Sequence, residues 1–232
     1  MTPVIATADK HCVLVVDDHP LFRKGVSQLL AMMPDIDATL EAGNGAEALA
    51  LARQADPDLI LLDLNLKGEN GLDVLRALKE DDPARRVVML TVSDAPDDLV
   101  AAIRAGADGY LLKDMEPEDL LARLREALSG SLVLGEALAA QLTLALRNEA
   151  RDTRAGRNRH IGDLTERELA VLRCLAAGMS NKEIARALEI TEGTVKVHVK
   201  HMLRKLSFRS RVEAAVWAAD HGLRGPTPPG AA

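Results

Sequence analysis

Aromatic side chains are nearly missing from this chain: its 232 residues include one tryptophan, one tyrosine and two phenylalanines. The core must therefore be aliphatic, and a tyrosine placed in a strand is unlikely filler. Cysteine is equally scarce. Cys12 falls in an apolar strand-like run and Cys174 in a helical one, so no disulfide framework or zinc site follows, and both read as small core residues. No apolar run reaches the roughly 18 residues of a membrane span. The start also lacks a charged segment followed by an apolar one. The chain is thus expected in the cytoplasm, away from membranes.

Charge is unevenly placed. Residues 1–146 hold 13 Lys+Arg against 25 Asp+Glu, residues 147–159 hold 5 against 2, and residues 160–232 hold 11 against 8. With a length that exceeds the usual single domain, this division predicts an acidic first domain and a basic second one whose partner is nucleic acid. The expected bounds are 1–131 for the first domain and 161–224 for the second. Between them, 132–160 holds a connecting helix (136–146) and an Arg-rich flexible linker; 225–232 is expected to be a disordered tail.

From Cys12 to about Gly130, strand-like and helix-like segments alternate. Strands are predicted near 12–16, 39–42, 59–62, 87–91 and 109–112, and helices near 20–32, 45–55, 71–80, 97–105 and 116–129. Five such βα units imply a flavodoxin-like α/β fold, a doubly wound five-stranded parallel sheet.

In such a sheet the carboxyl ends of neighbouring strands open into one crevice. Asp63 follows the apolar run Leu59 to Leu62, Asp17 and Asp18 follow Val13 to Val16, Thr91 ends Val87 to Leu90, and Lys113 follows Tyr110 to Leu112. Three clustered acids repel one another and ask for a cation. Mg2+ suits them, because it takes oxygen ligands, one or two carboxylates plus phosphate oxygens. Asp18 and Asp63 are the expected direct ligands, with Asp17 acting through water. Lys113 would offer a positive point charge to an acyl phosphate on Asp63, and Thr91 a hydroxyl donor. Alone, two acids after a strand make an ordinary turn, and a single Thr or Lys is usually surface; their recurrence at successive strand ends favours a phosphoacceptor.

Beyond Leu164 the pattern is wholly helical. Thr165-x-x-Glu168, Ser180-x-x-Glu183 and Ser210-x-x-Glu213 match capping boxes, and a further start at Thr191 predicts helices near 165–177, 181–188, 192–206 and 210–220. The short turn at 189–191 makes the middle pair a helix-turn-helix within a four-helix domain. On the third helix, Val195, Val199, Met202 and Leu206 form a core stripe. The opposite face carries Gly193, Lys196, Val197, Lys200, His201 and Arg204, a basic surface suited to a DNA major groove. A solvated basic face would look the same on an isolated helix; the helix-turn-helix context favours DNA.

The segments Asp17-Asp18-His19-Pro20, Asp63-Leu64-Asn65, Gly106 to Lys113 and Thr191 to Lys205 resemble two-component response regulators with a LuxR-type output domain. Leu111 to Leu120 and Val195 to Leu203 are similar to the nitrate/nitrite-responsive members. The resemblance spans nearly the whole chain. It implies a transcriptional regulator, not an enzyme, in which Asp63 accepts a phosphoryl group from a sensor histidine kinase. Mg2+ would be held by Asp18, Asp63 and the main-chain carbonyl of Asn65, and Thr91 and Tyr110 would form a coupled switch, Tyr110 repacking into the space that Thr91 vacates. In such proteins the unphosphorylated receiver covers the recognition helix. Release lets the output domain dimerise on inverted half-sites of double-stranded DNA, with RNA polymerase as a further candidate partner. Lys196, Val197 and Lys200 match base-contacting positions, and Val212, Val216 and Ala219 lie on the helix that matches the dimerisation element. Leu66-Lys67 stands where the family usually has Met-Pro, which is expected to free the loop and add charge.

Two other classes use similar parts. A haloacid-dehalogenase-like phosphatase needs an Asp-x-Asp-x-Thr run, which this sequence lacks. A phosphorylation-independent transcription factor with a vestigial receiver would not need the acids, hydroxyl and lysine together. Within the family, a regulator answering a different stimulus is the nearest alternative.

Overall fold

The computed structural model describes residues 10–130, 133–134 and 161–223. The predicted helix at 136–146, the linker to 159 and the tail 225–232 lie outside them. Within the first domain the expected alternation is present: β1 (His11–Val16), α1 (Pro20–Ala31), β2 (Ile36–Ala42), α2 (Gly45–Ala55) and β3 (Leu59–Leu62). A two-stranded ribbon of β4 (Asn65–Leu66) and β5 (Glu69–Asn70) follows, then α3 (Gly71–Asp81), β6 (Val87–Thr91), α4 (Pro96–Ala105), β7 (Gly109–Leu112), α5 (Pro117–Ser129) and β8 (Val133–Leu134).

The main sheet is parallel, in the order β2-β1-β3-β6-β7-β8. The flavodoxin-like expectation holds, with a short sixth strand added at the edge. Side-chain alternation divides the core in two. Leu14, Val16, Ile60, Leu62, Val87 and Met89 point to α2, α3 and α4, meeting Ala48, Leu75 and Leu99. Val13, Val15, Leu59, Leu61, Val88 and Leu90 point the other way, to Val26 and Leu30 of α1 and Leu120 and Leu124 of α5. Apart from Tyr110, both layers are built of aliphatic residues in their buried parts, as the composition requires.

The second domain begins with a 3₁₀ turn (Ile161–Asp163), then α6 (Glu166–Ala176), α7 (Asn181–Leu188), α8 (Glu192–Lys205) and α9 (Arg211–Asp220). Thr165 and Ser180 form complete capping boxes with Glu168 and Glu183. Ser210 accepts from the Glu213 N–H, but the Glu213 carboxylate takes the Arg209 N–H instead, so this third box is only half made. The predicted α8 stripe of Val195, Val199, Met202 and Leu206 is buried, packed with Leu172, Leu175, Ile184 and Phe208. Cys174 is buried in this core, and Cys12 is half-buried. Trp217 packs within its own domain, edge-on to Phe208 and stacked on His221.

Candidate functional site

Strand register brings the expected residues together. Val16 pairs with Leu62, Leu62 with Met89, and Thr91 with Leu112. The residues that follow these strands therefore emerge side by side. The Asp63 N–H donates to the Val16 carbonyl at 2.9 Å, and the Lys113 N–H to the Thr91 carbonyl at 2.8 Å. The β1/β3 boundary is also where the strand order reverses, the place where open α/β sheets bind ligands.

Asp63 is 3% exposed. Lys113 Nζ lies 2.7 Å from Asp63 Oδ2 and 2.7 Å from Asp17 Oδ2, and 4.7 Å from the centre of the Phe22 ring. Asp17 Oδ1 accepts the His19 N–H at 2.7 Å, so both Asp17 oxygens are engaged. Asp18 Oδ1 and Asp63 Oδ1 differ: both are buried and accept no hydrogen bond. Burial pushes the Asp63 carboxyl pKa up and the Asp17 charge adds to this, against the opposing pull of Lys113 and the Asn65 N–H. Burial alone would lower the Lys113 pKa, but its bonds to Asp17 and Asp63 outweigh that and raise it. A single ammonium among three carboxylates leaves negative charge uncompensated, and two orphaned oxygens mark where a cation fits. Ligand atoms of Asp17, Asp18, His19 and Asp63 lie within 4.8 Å of one another.

Gly71 fixes the loop behind the acceptor. Its N–H donates to the Leu64 carbonyl at 2.7 Å. A Cβ there would stand 2.1 Å from the Asp63 carbonyl oxygen, so only glycine allows this approach. The Lys67 loop, expected to be freed by the missing proline, is instead tied into the β4–β5 ribbon, Asn65 pairing with Asn70 and Leu66 with Glu69, with Gly68 turning at φ +80°. The Asn65 residue is exposed beside the cluster.

Thr91 and Tyr110 converge on Ser93 rather than on an open space. The Ser93 N–H donates to Thr91 Oγ1 at 3.2 Å, and the Tyr110 hydroxyl donates to the Ser93 carbonyl at 3.0 Å. Tyr110 is fully buried. The buried ring thus has its hydroxyl satisfied by the Ser93 carbonyl.

On α8, Lys196, Val197, His201 and Arg204 are exposed and Lys200 is half-buried; Val197 is 50% exposed. This face is turned to the first domain. Lys196 pairs with Asp58 and Lys200 with Asp82. Burial would raise the Asp58 pKa, but hydrogen bonds from His11, Lys196 and the Cys12 N–H overcome it and hold the carboxyl far below the ordinary range. Arg209 donates to the Arg104 carbonyl at 3.3 Å, Ala84 packs on the second domain's core, and Arg211 lies against Gly130. Asp58, Asp82, Ala84, Lys196, Lys200 and Arg211 line a cavity of about 250 Å³ between the domains, together with Arg86 and Asp108. On α9, Val212 is buried while Val216 and Ala219 are exposed.

Asp58 and Asp82 were not legible as functional residues. The available signal was the pair of acid–proline turns, Asp56-Pro57-Asp58 and Asp81-Asp82-Pro83, at the amino ends of strands in a strongly acidic domain.

Comparisons with known proteins show the family. The response regulator receiver domain matches residues 13–125, and the luxR family of bacterial regulatory proteins matches residues 163–218. The chain is 53% identical over 205 residues to the nitrate/nitrite response regulator protein NarL of Escherichia coli (strain K12), covering 88% of this chain and 93% of that protein. It is 50% identical over 204 residues to NarP of the same strain, covering 88% and 92%. Among solved structures, a LuxR-family two-component response regulator from Aurantimonas sp. SI85-9A1 superposes with a TM-score of 0.55 at 28% identity, covering 60% of this chain and 99% of that one.

Proposed function

The chain belongs to the two-component response regulators with a LuxR-type DNA-binding domain, and from that premise we propose that phosphorylation of Asp63 controls its binding to DNA. The observation that carries the proposal is the pair of buried, unpartnered oxygens, Asp18 Oδ1 and Asp63 Oδ1, beside the Lys113 ammonium. An Asp63 oxygen attacks the phosphorus of a phosphohistidine on the partner kinase. The phosphorus–nitrogen bond breaks, and its electron pair stays on the departing imidazole. Asp18, Asp63 and the Asn65 carbonyl would hold Mg2+, with Asp17 reached through water, and the ion would supply the charge compensation that three acids and a phosphoryl group require. Lys113 holds the acyl phosphate as a point charge, and the Thr91 hydroxyl donates to a phosphoryl oxygen after leaving Ser93.

The resting state is the closed one. Lys196 and Lys200, the groups proposed to meet DNA, spend their charge on Asp58 and Asp82. Phosphorylation adds roughly −1.5 to −2 charge at the opposite end of the sheet. Moving a switch from 1:99 to 99:1 takes about 5.5 kcal/mol, whereas two partly solvated ion pairs supply about 0.2–1 kcal/mol each. The ion pairs therefore choose the orientation, and the Ala84, Arg209 and Arg211 contacts carry the remaining closure. Once freed, Lys196, Val197, Lys200, His201 and Arg204 face the major groove, and the α9 residues Val216 and Ala219, with Val212 behind them, form the dimer contact on inverted half-sites. The similarity to NarL and NarP favours nitrate or nitrite as the stimulus.

Incubation with a small-molecule phosphodonor and Mg2+, followed by intact mass measurement, tests the acceptor. One phosphoryl group is expected on the wild type and none on Asp63→Asn; a gain that survives the substitution places the acceptor elsewhere.

A further inference from the structure

His19 stands in the acid cluster, yet phosphoryl transfer leaves it without a task. It occupies the cap position of α1, but its side chain makes no capping hydrogen bond, and Pro20 follows it as the first helical residue. Its own N–H is fastened to Asp17 Oδ1 at 2.7 Å, which directs the residue toward the crevice. The ring is 69% exposed, and its Nδ1 lies 3.1 Å from Asp18 Oδ1 and 3.4 Å from Asp17 Oδ1.

The shorter of these approaches is not a hydrogen bond, because Asp18 Oδ1 accepts none. Two donors bound side by side on an octahedral ion at 2.0–2.1 Å stand about 3 Å apart. The His19–Asp18 pair has that separation, and both residues belong to the group whose ligand atoms lie within 4.8 Å of one another. A second observation points to the same space: Asp63, 3% exposed, leaves Oδ1 unpartnered there.

Ligand chemistry then separates two classes of ion. Mg2+ prefers oxygen and keeps its waters, so it gains little from an imidazole. Cobalt, nickel and zinc ions bind imidazole nitrogen well. We propose that His19 Nδ1 is a nitrogen ligand of the acid cluster that raises its affinity for first-row transition ions without altering its affinity for Mg2+. The proposal rests on the cluster being a metal site, and it assigns the site a selectivity that Asp17, Asp18 and Asp63 alone would not have. The exposed ring reaches the ion from the solvent side, so an incoming transition ion meets it before the buried carboxylates.

The test uses the full-length protein titrated with Mg2+ and with Co2+ by calorimetry, following Co2+ visible absorption in parallel. Only Co2+ that excess Mg2+ displaces is counted, which removes binding at His11, His198, His201 and other histidines. In His19→Gln, Co2+ affinity is expected to fall about tenfold or more, with a weakened ligand-field signature, while Mg2+ affinity stays within about twofold. Asp63→Asn should weaken both ions. Unchanged Co2+ affinity in His19→Gln, or an equal loss for both ions, overturns the nitrogen ligand while leaving the metal site standing. Absence of Mg2+ binding in the wild type would overturn the metal site itself, and the inference with it.

Discussion

Asp58 and Asp63 flank the same four-residue strand, Leu59–Leu62. One receives Lys196 of the recognition helix, and the other receives Lys113 in the phosphoacceptor crevice. At about 3.3 Å per residue they stand roughly 17 Å apart along the strand. The closure contact and the proposed chemistry are thus at opposite ends of a fully buried segment. A change of charge at Asp63 has a packed path to the interface, through β3 and its neighbours, without any contact between the sites.

Neutralising the two acids that hold the recognition helix should open the protein without phosphorylation. The double substitution Asp58→Asn/Asp82→Asn is expected to raise the DNA affinity of the unphosphorylated chain roughly 2- to 30-fold, from about 0.2–1 kcal/mol for each pair. Electrophoretic mobility shifts at fixed salt measure it. Asp73→Asn/Glu80→Gln, which removes two exposed acids of α3 and so shifts the charge by the same amount, controls for net charge. Equal affinity in the double variant and this control would contradict the closure role.

Removing Lys113 leaves Asp17 and Asp63 facing each other with no ammonium between them. Lys113→Met should cost about 3–5 kcal/mol in metal-free buffer, as for other buried pairs that lose one partner. Denaturant unfolding reads the loss. Added Mg2+ should restore about 2.7 kcal/mol at a hundredfold excess over its dissociation constant, and a variant as stable as the wild type without metal would show that the carboxylates are not charged together.

Tyr110 is the chain's single tyrosine, so tyrosinate absorbance reports on it alone. Burial pushes its pKa up to about 12, nearby Asp98, Asp94 and Asp63 add to the shift, and the bond to Ser93 opposes it. The folded pKa exceeds the unfolded one of about 10. The stabilisation is therefore complete below pH 10 and is lost as pH rises from 10 toward 12. A midpoint near 12 in the folded protein is expected, and one near 10 would place the ring in solvent.

Gly71→Ala should displace the Asp63 backbone, because the new Cβ has a carbonyl oxygen 2.1 Å away and two more Leu64 backbone atoms at 2.8 Å. A stability loss of about 1–3 kcal/mol is expected from the overpacking, with slower phosphorylation. Thermal unfolding and phosphoryl incorporation check the two effects; wild-type values for both would mean that the loop can relax away.

Periodicity and strand ends made much of this molecule readable. The run Leu59 to Leu62 is apolar without alternation because β3 is buried on both faces, and Asp63 after it stands out for the same reason. The stripe on α8 was readable because a core face repeats at helical spacing. What was hidden depends on tertiary register or on domain packing. Val133–Leu134 is too short to signal a strand, and pairs because β7 offers an open edge. Asp58 and Asp82 look like ordinary turn acids until α8 is laid across them. Ser210 begins a helix as expected, yet the reciprocal half of its box goes to Arg209, a choice between neighbouring N–H groups that spacing alone does not decide.

The central claim is that the acceptor aspartate controls access to the recognition helix. The direct measurement is binding of the full-length protein to DNA carrying inverted half-sites, with and without phosphodonor and Mg2+, beside Asp63→Ala. The account predicts tighter binding by the treated wild type and none of that gain in the variant; equal binding in all three samples would contradict it.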